Sequence, residues 1–162
     1  MTLRYGRAID PNVRLLLDRF GMTPLPVEAV YFAEIYRSQA WSAGVGLFSA
    51  DPPSRSLFHR LAFDEVWHFY AGDPLRLVLL YPDGSDEEVV MGGDPLAGRV
   101  QHLVPAGTWQ AGELIPGGRW ALFGCTMAPG FNEECFEGGA AADLLRTHPG
   151  RASDIERLGV PG

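Results

Sequence analysis

The sequence predicts an all-β protein, a small antiparallel barrel or two-sheet sandwich, with a short N-terminal helix before it and a C-terminal helical tail after it. The chain has 162 residues, of which 46% are hydrophobic and 20% charged, which suits one globular domain with a substantial core. Between residues 31 and 128, short apolar or alternating runs are separated by glycine, proline and aspartate. This is the pattern of an all-β fold. Helical spacing is confined to the two ends of the chain.

The N-terminal helix is predicted to begin after Asp10, a favourable N-cap residue, with Pro11 in the first helical position. The apolar positions that follow are spaced i, i+3, i+4 and i+7, and they are Val13, Leu16, Leu17 and Phe20. Gly21 then ends the pattern. The segment therefore predicts a short amphipathic helix.

Nine strands are predicted from the runs that follow. Their bounds are residues 31–37, 44–49, 57–61, 65–70, 76–81, 88–91, 100–104, 109–114 and 119–126. Pro82, Asp83 and Gly84 connect two of these runs, and they predict a hairpin turn because proline presets φ and glycine accepts a positive φ. The acidic run from Asp83 to Glu88 is interpreted as the solvated tip of that hairpin.

Helical signals return near the C-terminus. Residues 140–146 predict one helix, and Ser153 with Glu156 has the spacing of a capping box at the start of a second. His148, which precedes Pro149 in this tail, is expected on the surface. The whole chain is expected to form one domain, with the barrel over about residues 28–137 and the tail over 138–162.

Composition and charge exclude several classes of function. All 13 basic residues are arginine, so a Schiff-base lysine and the lysine of a phosphate-binding loop are both excluded. The net charge of −7 and a pI near 5.0, with no clustering of the arginines, argue against a nucleic-acid-binding surface.

Neither the cysteines nor the hydropathy pattern indicates a secreted or membrane protein. Cys125 and Cys135 lack paired or metal-binding spacing and are expected to be free, buried thiols, with Cys125 in an apolar strand that does not favour a nucleophile. The N-terminus lacks the apolar segment of a signal peptide, and no run approaches the ~20 apolar residues of a membrane span. A soluble, cytoplasmic protein without a membrane partner is expected.

A histidine and a glutamate stand six positions apart in two neighbouring predicted strands. They are His59 and Glu65, and Gly72 follows seven positions after the glutamate. This spacing resembles the first motif of the RmlC-like cupin superfamily, in which HxH is followed by three or four residues, Glu, six residues and Gly. Leu61 stands where that motif has its second histidine.

A second segment contains Gly98, Pro105 and Gly107, with Gln110 three positions after the last glycine. It resembles the second cupin motif, in which Gly, five residues, PxG, two residues and His follow one another. Six residues separate Gly98 from Pro105 here, and Gln110 replaces the histidine. By this resemblance, half of the superfamily's four metal ligands are missing.

The resemblance extends to one subfamily of small single-domain cupins, formerly grouped as a domain of unknown function, and covers about Leu15 to Leu158. It is carried by the stretches DEVWHFYAGDPL, PAGTWQ and APGF. It implies a cupin jelly-roll β-barrel, open at one end, that pairs as a homodimer through edge strands. Residues 26–34 depart from the subfamily's usual Pro-Glu-Gly-Gly-Tyr-Phe-Arg-Glu, with loss of both glycines and the arginine.

The candidate site follows from placing Glu65 inside this barrel. Strand alternation then points Trp67 and Phe69 inward and His68 outward, so that the interior is aromatic with a few polar groups, as in a small-molecule pocket. His68 and His102 are expected to be structural or to face the dimer partner. Apolar surroundings raise the pKa of a carboxyl such as Glu65, and the paired His59 suits proton transfer near neutral pH; a satisfied internal salt bridge is the alternative.

Three functions are consistent with these residues. The first is an enzyme of epimerase, isomerase, cyclase or lyase type, with His59 as base, Glu65 as acid or partner and Tyr31 as a second acid. Gln101 and Gln110, with Trp67 and Phe69, would bind the substrate. The second is a non-catalytic module that binds a small molecule in the same barrel.

The third is a metal-dependent oxygenase or isomerase that uses His59, Glu65 and Gln110 as ligands. A divalent metal is possible but disfavoured, because an amide oxygen is a poor, neutral ligand compared with imidazole. No other cofactor is indicated by the sequence.

Overall fold

The computed structural model describes residues 9–162 and shows two antiparallel sheets that face each other, with helices towards both ends of the chain. The α-helices are α1 (Pro11–Phe20), α2 (Ala141–Thr147) and α3 (Ala152–Leu158), and two 3-10 helices span Glu133–Cys135 and Pro149–Arg151. The strands are β1 (Thr23–Pro24), β2 (Tyr31–Arg37), β3 (Ser42–Ala50), β4 (Pro53–Ser54), β5 (Ser56–Leu61), β6 (Glu65–Gly72), β7 (Leu75–Leu80), β8 (Asp86–Met91), β9 (Gln101–Val104), β10 (Trp109–Leu114), β11 (Trp120–Met127) and β12 (Phe136–Gly138).

The strands form a larger and a smaller sheet. The larger sheet has the order β1-β2-β3-β11-β6-β9, with β4 also paired to β3, and the smaller has the order β12-β5-β10-β7-β8. These orders place strands that are distant in sequence side by side, as in a jelly roll. The core between the sheets contains Phe48, Trp67, Leu77 and Phe123, each almost completely buried.

Two glycines of β3 make room for aromatic rings inside the barrel. Gly44 and Gly46 pair in register with Cys125 and Phe123 of β11. A Cβ atom on Gly44 would lie 2.1 Å from Cζ of Phe32, and one on Gly46 would lie 2.3 Å from Cζ of Phe123. The two rings therefore occupy the space that larger side chains would fill.

Helix α1 packs on the outer face of the larger sheet. The Asp10 carboxylate accepts a hydrogen bond from the Asn12 backbone at 2.9 Å, and Gly21 ends the helix with a left-handed φ of 61°. Val13 is fully buried in one cluster with Leu47 of β3. The predicted helix and both of its caps are confirmed.

All nine predicted strands are present, with bounds shifted by at most two residues at either end. The structure adds β1, β4 and β12, each only two or three residues long. Runs this short carry no alternation that a sequence pattern can detect.

The predicted hairpin joins β7 and β8. The Tyr81 N–H donates to the Ser85 carbonyl at 2.9 Å, and Gly84 has a φ of 88°. The turn around Asp83 is exposed, as predicted, but the tip is shorter than the acidic run, because Asp86–Glu88 belong to β8, where Asp86 pairs with Arg151 at 2.8 Å and Glu88 with Arg76. The tail folds back over β8, which the local sequence does not reveal.

The predicted helix over residues 140–146 is confirmed as α2, but the capping box at Ser153 is wrong. The 3-10 helix Pro149–Arg151 runs directly into α3, so Ser153 lies inside the first turn, and Arg151 at the N-cap position makes no side-chain cap. Helix α3 is held instead by Ile155 and Leu158, which are fully buried against the smaller sheet.

The expectation that His148 lies on the surface is also wrong. Its ring is buried, with Nδ1 at 2.9 Å from the Thr147 hydroxyl and Nε2 at 3.0 Å from the Tyr81 carbonyl. The two cysteines are buried and free, as predicted. Over residues 9–162, no helix has the length and apolar character needed to cross a membrane.

Candidate functional site

A cavity of about 520 Å³ opens between the two sheets at one end of the barrel. Its walls come from the inner faces of β2, β3, β5, β6 and β11 and from the segment before β2. The polar or charged side chains that line it are Thr23, Glu28, Glu34, Arg37, Ser42, Ser56, His59, Glu65 and Glu133. Its size falls in the range of small-molecule sites.

His59 is held rigidly on β5. Its Nδ1 lies 2.8 Å from the Leu57 carbonyl, and its ring stacks on Phe136 with centroids 5.5 Å apart. Because a carbonyl oxygen can only accept, Nδ1 carries the proton, and Nε2 is the atom free to exchange one. Nε2 lies 3.7 Å from the Glu28 carboxylate, so an imidazolium formed on His59 has a counter-ion beside it.

Glu65 is the deepest carboxyl of the cavity, and its residue is only 8% exposed. Gln110 reaches across from the smaller sheet and donates from Nε2 to Glu65 Oε2 at 2.9 Å. Gln110 Oε1 in turn accepts from the Trp67 indole N–H at 2.7 Å. The nitrogen and the oxygen of this amide therefore hold the side chains of Glu65 and Trp67 in fixed positions relative to each other.

Burial raises the pKa of Glu65 from 4.5 to about 7. The charge of His59 opposes this rise, that of Glu28 adds to it, and hydrogen bonds with Gln110 and Cys125 oppose it. Glu65 is therefore partly protonated near neutral pH and can donate a proton there. Burial, reinforced by the charge of Glu65, raises the pKa of the Cys125 thiol, which stays neutral as the sequence predicts.

Glu28 reaches the site through a strained turn before β2. The next residue, Ala29, has a φ of 64°, in the left-handed region that favours glycine. The turn is held by the Ala29 N–H, which donates to the Leu25 carbonyl at 3.0 Å, and by the Glu28 carbonyl, which accepts from the Leu57 N–H at 3.0 Å. These bonds anchor Glu28 to the start of the strand that carries His59.

An ion cluster stands at the mouth of the cavity. Arg37 donates to Glu34 at 2.6 Å and to Glu133 at 2.9 Å. Its guanidinium also lies over the Phe131 ring, 4.9 Å from the centroid. The Glu133 side chain is 80% exposed, so this cluster is where the cavity meets solvent.

The structure brings His59, Glu65 and Trp67 to the cavity but places three other predicted residues elsewhere. Tyr31 pairs in register with Leu47 and lies in the cluster under α1, on the opposite face of the sheet. The prediction that Tyr31 serves as an acid in this cavity is therefore wrong. A bulge later in the same strand accounts for Arg37 reaching the cavity.

Gln101 and Phe69 do not line the cavity either. Gln101 is exposed on the outer face of the larger sheet, where its amide contacts His68 at 3.1 Å. Phe69 points into the barrel as alternation predicts, but its ring packs over Gly92, away from the opening. Gln110 lies beside Glu65, but the nitrogen and the oxygen of its amide are both hydrogen-bonded to protein side chains. It therefore orients Glu65 instead of binding a ligand directly.

His68 and His102 lie on opposite faces of the larger sheet. His68 lies outside, as predicted, with Nε2 at 2.9 Å from the Thr126 hydroxyl. His102 pairs in register with Trp67 and is buried on the inner face, which fits the structural alternative and contradicts a position facing a dimer partner. Residues directly opposite each other in an antiparallel pair share a face, and this register is not visible in the sequence.

The donor chemistry does not fit the metal site considered from the sequence. Gln110 Oε1 is occupied by Trp67, and its amide nitrogen faces Glu65, so it offers no oxygen beside His59 and Glu65. In the part of the chain that the structure describes, no three His, Cys, Asp or Glu side chains converge as a metal would require.

Sequence reasoning missed Glu28, Arg37 and Cys125 as cavity residues. Glu28 lies in a turn without periodicity, so the sequence does not show where its side chain points. Cys125 shares the inward alternation of Phe123 and Met127, and this parity would have placed it once one inward residue of β11 was known.

The fold and this two-sheet cavity define the chain as a member of the cupin superfamily. Within it, the chain belongs to the family described as Cupin superfamily (DUF985), which matches residues 14–138. No curated protein matches the chain.

Solved structures with the same fold include two that span nearly the whole chain. A hypothetical protein from Leishmania major is similar at 24% identity and a TM-score of 0.82, over 91% of this chain and 98% of its own. A protein from Shewanella oneidensis is similar at 28% identity and a TM-score of 0.81, over 91% and 96%. A cupin 2 conserved barrel domain protein from Rhodopseudomonas palustris is similar at 14% identity and a TM-score of 0.56, over 84% and 83%.

Proposed function

We propose that this protein is an enzyme that transfers protons on a small polar molecule bound in the cavity, with Glu65 as the acid and His59 as the base. The observation that carries the proposal is the pairing of two unlike titratable groups on one cavity. Glu65 is buried with a pKa raised to about 7, and His59 presents Nε2 with its other nitrogen fixed on the backbone. Unlike environments that separate an acid from a base characterise general acid–base sites.

The surrounding residues support both halves of the transfer. His59 Nε2 takes a proton from the substrate and becomes an imidazolium, which the Glu28 carboxylate at 3.7 Å stabilises. Glu65 gives its proton to the substrate atom where negative charge develops, and becomes a carboxylate that still accepts from Gln110. The summed charge of the two groups is unchanged, and the resting state returns when His59 loses its proton and Glu65 regains one.

The reaction class follows from this exchange. Delivery of a proton to the opposite face of the atom that lost one gives epimerisation, delivery to another atom of the substrate gives isomerisation, and delivery to a leaving group gives elimination. The apolar lining formed by Trp67, Phe123 and Phe136 excludes water from the reacting atoms. The rate should fall as pH rises above about 7, because Glu65 then loses the proton that it must donate.

Deuterium incorporation tests the proposal without knowledge of the substrate. The protein is incubated in D₂O with a panel of small hydroxy, keto and amino compounds, and mass spectrometry records which of them gain deuterium. We expect at least one compound to exchange, and His59→Gln and Glu65→Gln each to slow it by about 10²–10⁴-fold. Glu137→Gln, which removes a carboxylate that pairs with Arg60 outside the cavity, is the matched control.

Two results would contradict the proposal. One is a panel in which no compound exchanges faster with protein than in a protein-free blank. The other is exchange that persists at the control rate in both cavity variants, which would show that the proton moves through other groups.

A further inference from the structure

Negative charge predominates on the cavity lining. Four carboxyl side chains face it, and among the described residues that line it the basic side chains are Arg37 and His59. The carboxyl groups are those of Glu28, Glu34, Glu65 and Glu133. An anionic ligand entering this cavity would therefore meet a lining of net negative charge.

Arg37 does not relieve that repulsion, because its positive charge is already neutralised by carboxylates of the protein. It is bonded to both Glu34 and Glu133, so one guanidinium stands against two carboxylates. A carboxylate or phosphate ligand would have to displace one of these partners. Deeper in the cavity it would then face Glu28 and Glu65.

The apolar part of the lining also suits a cation. Trp67 and Phe123 stack with centroids 4.7 Å apart, and Phe32, Phe131 and Phe136 complete an aromatic wall. Aromatic faces attract organic cations, and Arg37 over Phe131 already makes this contact in the cavity.

We propose that this cavity binds a compact organic amine whose ammonium group pairs with the Glu28 carboxylate, with Glu65 beside it, and whose apolar body lies against the aromatic wall. As an assignment of the substrate class this rests on the proposed function, whereas binding itself can be tested without any reaction. The inner carboxyls supply the charge and the aromatic rings supply the apolar contact. The volume of about 520 Å³ is that of a small-molecule site.

Ammonium binding should be coupled to ionisation of Glu65. The titratable or polar groups that face Glu65 are His59 from β5, Glu28 from the turn before β2, Gln110 from β10 and Cys125 from β11. Burial keeps the Cys125 thiol neutral, so it adds no charge to the site. Between pH 6 and pH 8 the ionised fraction of Glu65, with its pKa of about 7, rises about tenfold, whereas an aliphatic amine stays protonated below pH 9. The affinity for the amine should therefore be about tenfold higher at pH 8 than at pH 6.

The test compares three ligands of nearly the same shape by isothermal titration calorimetry at pH 6 and pH 8. They are 2-phenylethylamine, 2-phenylethanol and 3-phenylpropionate. We expect the amine to bind at least about tenfold more tightly than the alcohol at pH 8, with the carboxylate weakest. Equal or tighter binding of the carboxylate, or no binding of the amine up to about 10 mM, would overturn the inference.

Glu65→Gln should lower amine affinity at pH 8 about tenfold and leave alcohol affinity unchanged, and Glu28→Gln gives a second, independent loss of charge. Glu137→Gln makes the same change outside the cavity and should have no effect. Selective amine binding without deuterium exchange on any compound would keep this inference and refute the enzyme. Deuterium exchange confined to neutral or anionic compounds, without amine binding, would support the enzyme and refute the inference of an amine ligand.

Discussion

Replacement of Glu65 by glutamine should stabilise the protein at neutral and alkaline pH and leave its stability at pH 4 nearly unchanged. The substitution keeps the shape of the side chain, and an amide oxygen can still accept from Gln110. It removes a buried carboxyl whose pKa is raised from 4.5 to about 7 by burial. When the pKa of an acid is higher in the folded state than in the unfolded state, the free energy of unfolding falls as pH rises above the unfolded-state pKa.

The magnitude follows from the two pKa values. Below pH 4.5 the carboxyl is protonated in both states and costs nothing. Between pH 4.5 and about 7 the unfolded chain releases the proton while the folded protein retains it, and the folded state loses about 1.4 kcal/mol for each pH unit. At pH 8 the accumulated cost is about 3 kcal/mol, which corresponds to roughly 6–12 °C in Tm for a chain of this length.

Urea unfolding of both proteins at pH 5, 6, 7 and 8 measures this difference. The free-energy advantage of Glu65→Gln should grow from about 0.8 kcal/mol at pH 5 to about 3 kcal/mol at pH 8. Glu137→Gln, with its exposed carboxyl, should show no such growth. An advantage that is constant from pH 5 to pH 8 would refute the reasoning, because Glu65 would then not titrate in this range.

Three further predictions concern the scaffold of the site. Asp154→Ala should cost about 1–3 kcal/mol in urea unfolding, because it leaves the half-buried Arg76 without one of its three carboxylate partners. Burial raises the pKa of Asp154, but hydrogen bonding and ion pairing with Arg76 outweigh this and lower it, so the cost should disappear as pH falls below about 4. Ala29→Gly should stabilise by about 0.5–1 kcal/mol by relieving its left-handed φ. Gln110→Leu should destabilise by about 2–4 kcal/mol and move the titration of Glu65 to higher pH, measured by carboxyl infrared bands.

Each of these has a contrary outcome. An Asp154→Ala cost that stays constant down to pH 3 would show that the ion pair contributes nothing to stability. Destabilisation by Ala29→Gly would mean that the turn is not strained. An unchanged Glu65 titration in Gln110→Leu would show that the amide bridge does not act on the carboxyl.

Local chemistry was sufficient to predict most elements of this fold. Asp10 and Gly21 bound α1 as a capping residue and a left-handed residue do generally, and the turn at Gly84 follows from its φ. The alternation from Glu65 to His68 likewise assigned each side chain of β6 to a face. The errors at Ser153 and His148 arose where a second segment of chain competes with the local pattern, since the tail packs on the smaller sheet.

The candidate site was predicted only in part for a related reason. The resemblance of the His59 and Glu65 spacing to a cupin motif implied that both lie inside a barrel, and the structure brings both to one cavity. The inward position of His102 and the outward positions of Tyr31 and Gln101 depend on strand register and on which strands are neighbours. One residue of register reverses the face of a side chain, and no local signal sets it.

The sequence by itself determined an all-β barrel with helical ends, an acidic, lysine-free chain, and a histidine–glutamate pair at its centre. The fold class and the charge depend on periodicity, turn chemistry and composition, which act over a few residues. The pair was assigned by the resemblance of its spacing to a cupin motif. Only the tertiary structure placed Glu28 beside His59, set the Gln110 amide between Glu65 and Trp67, and neutralised Arg37 at the opening. Those contacts join residues far apart in the chain, and burial between two sheets gives Glu65 its altered acidity.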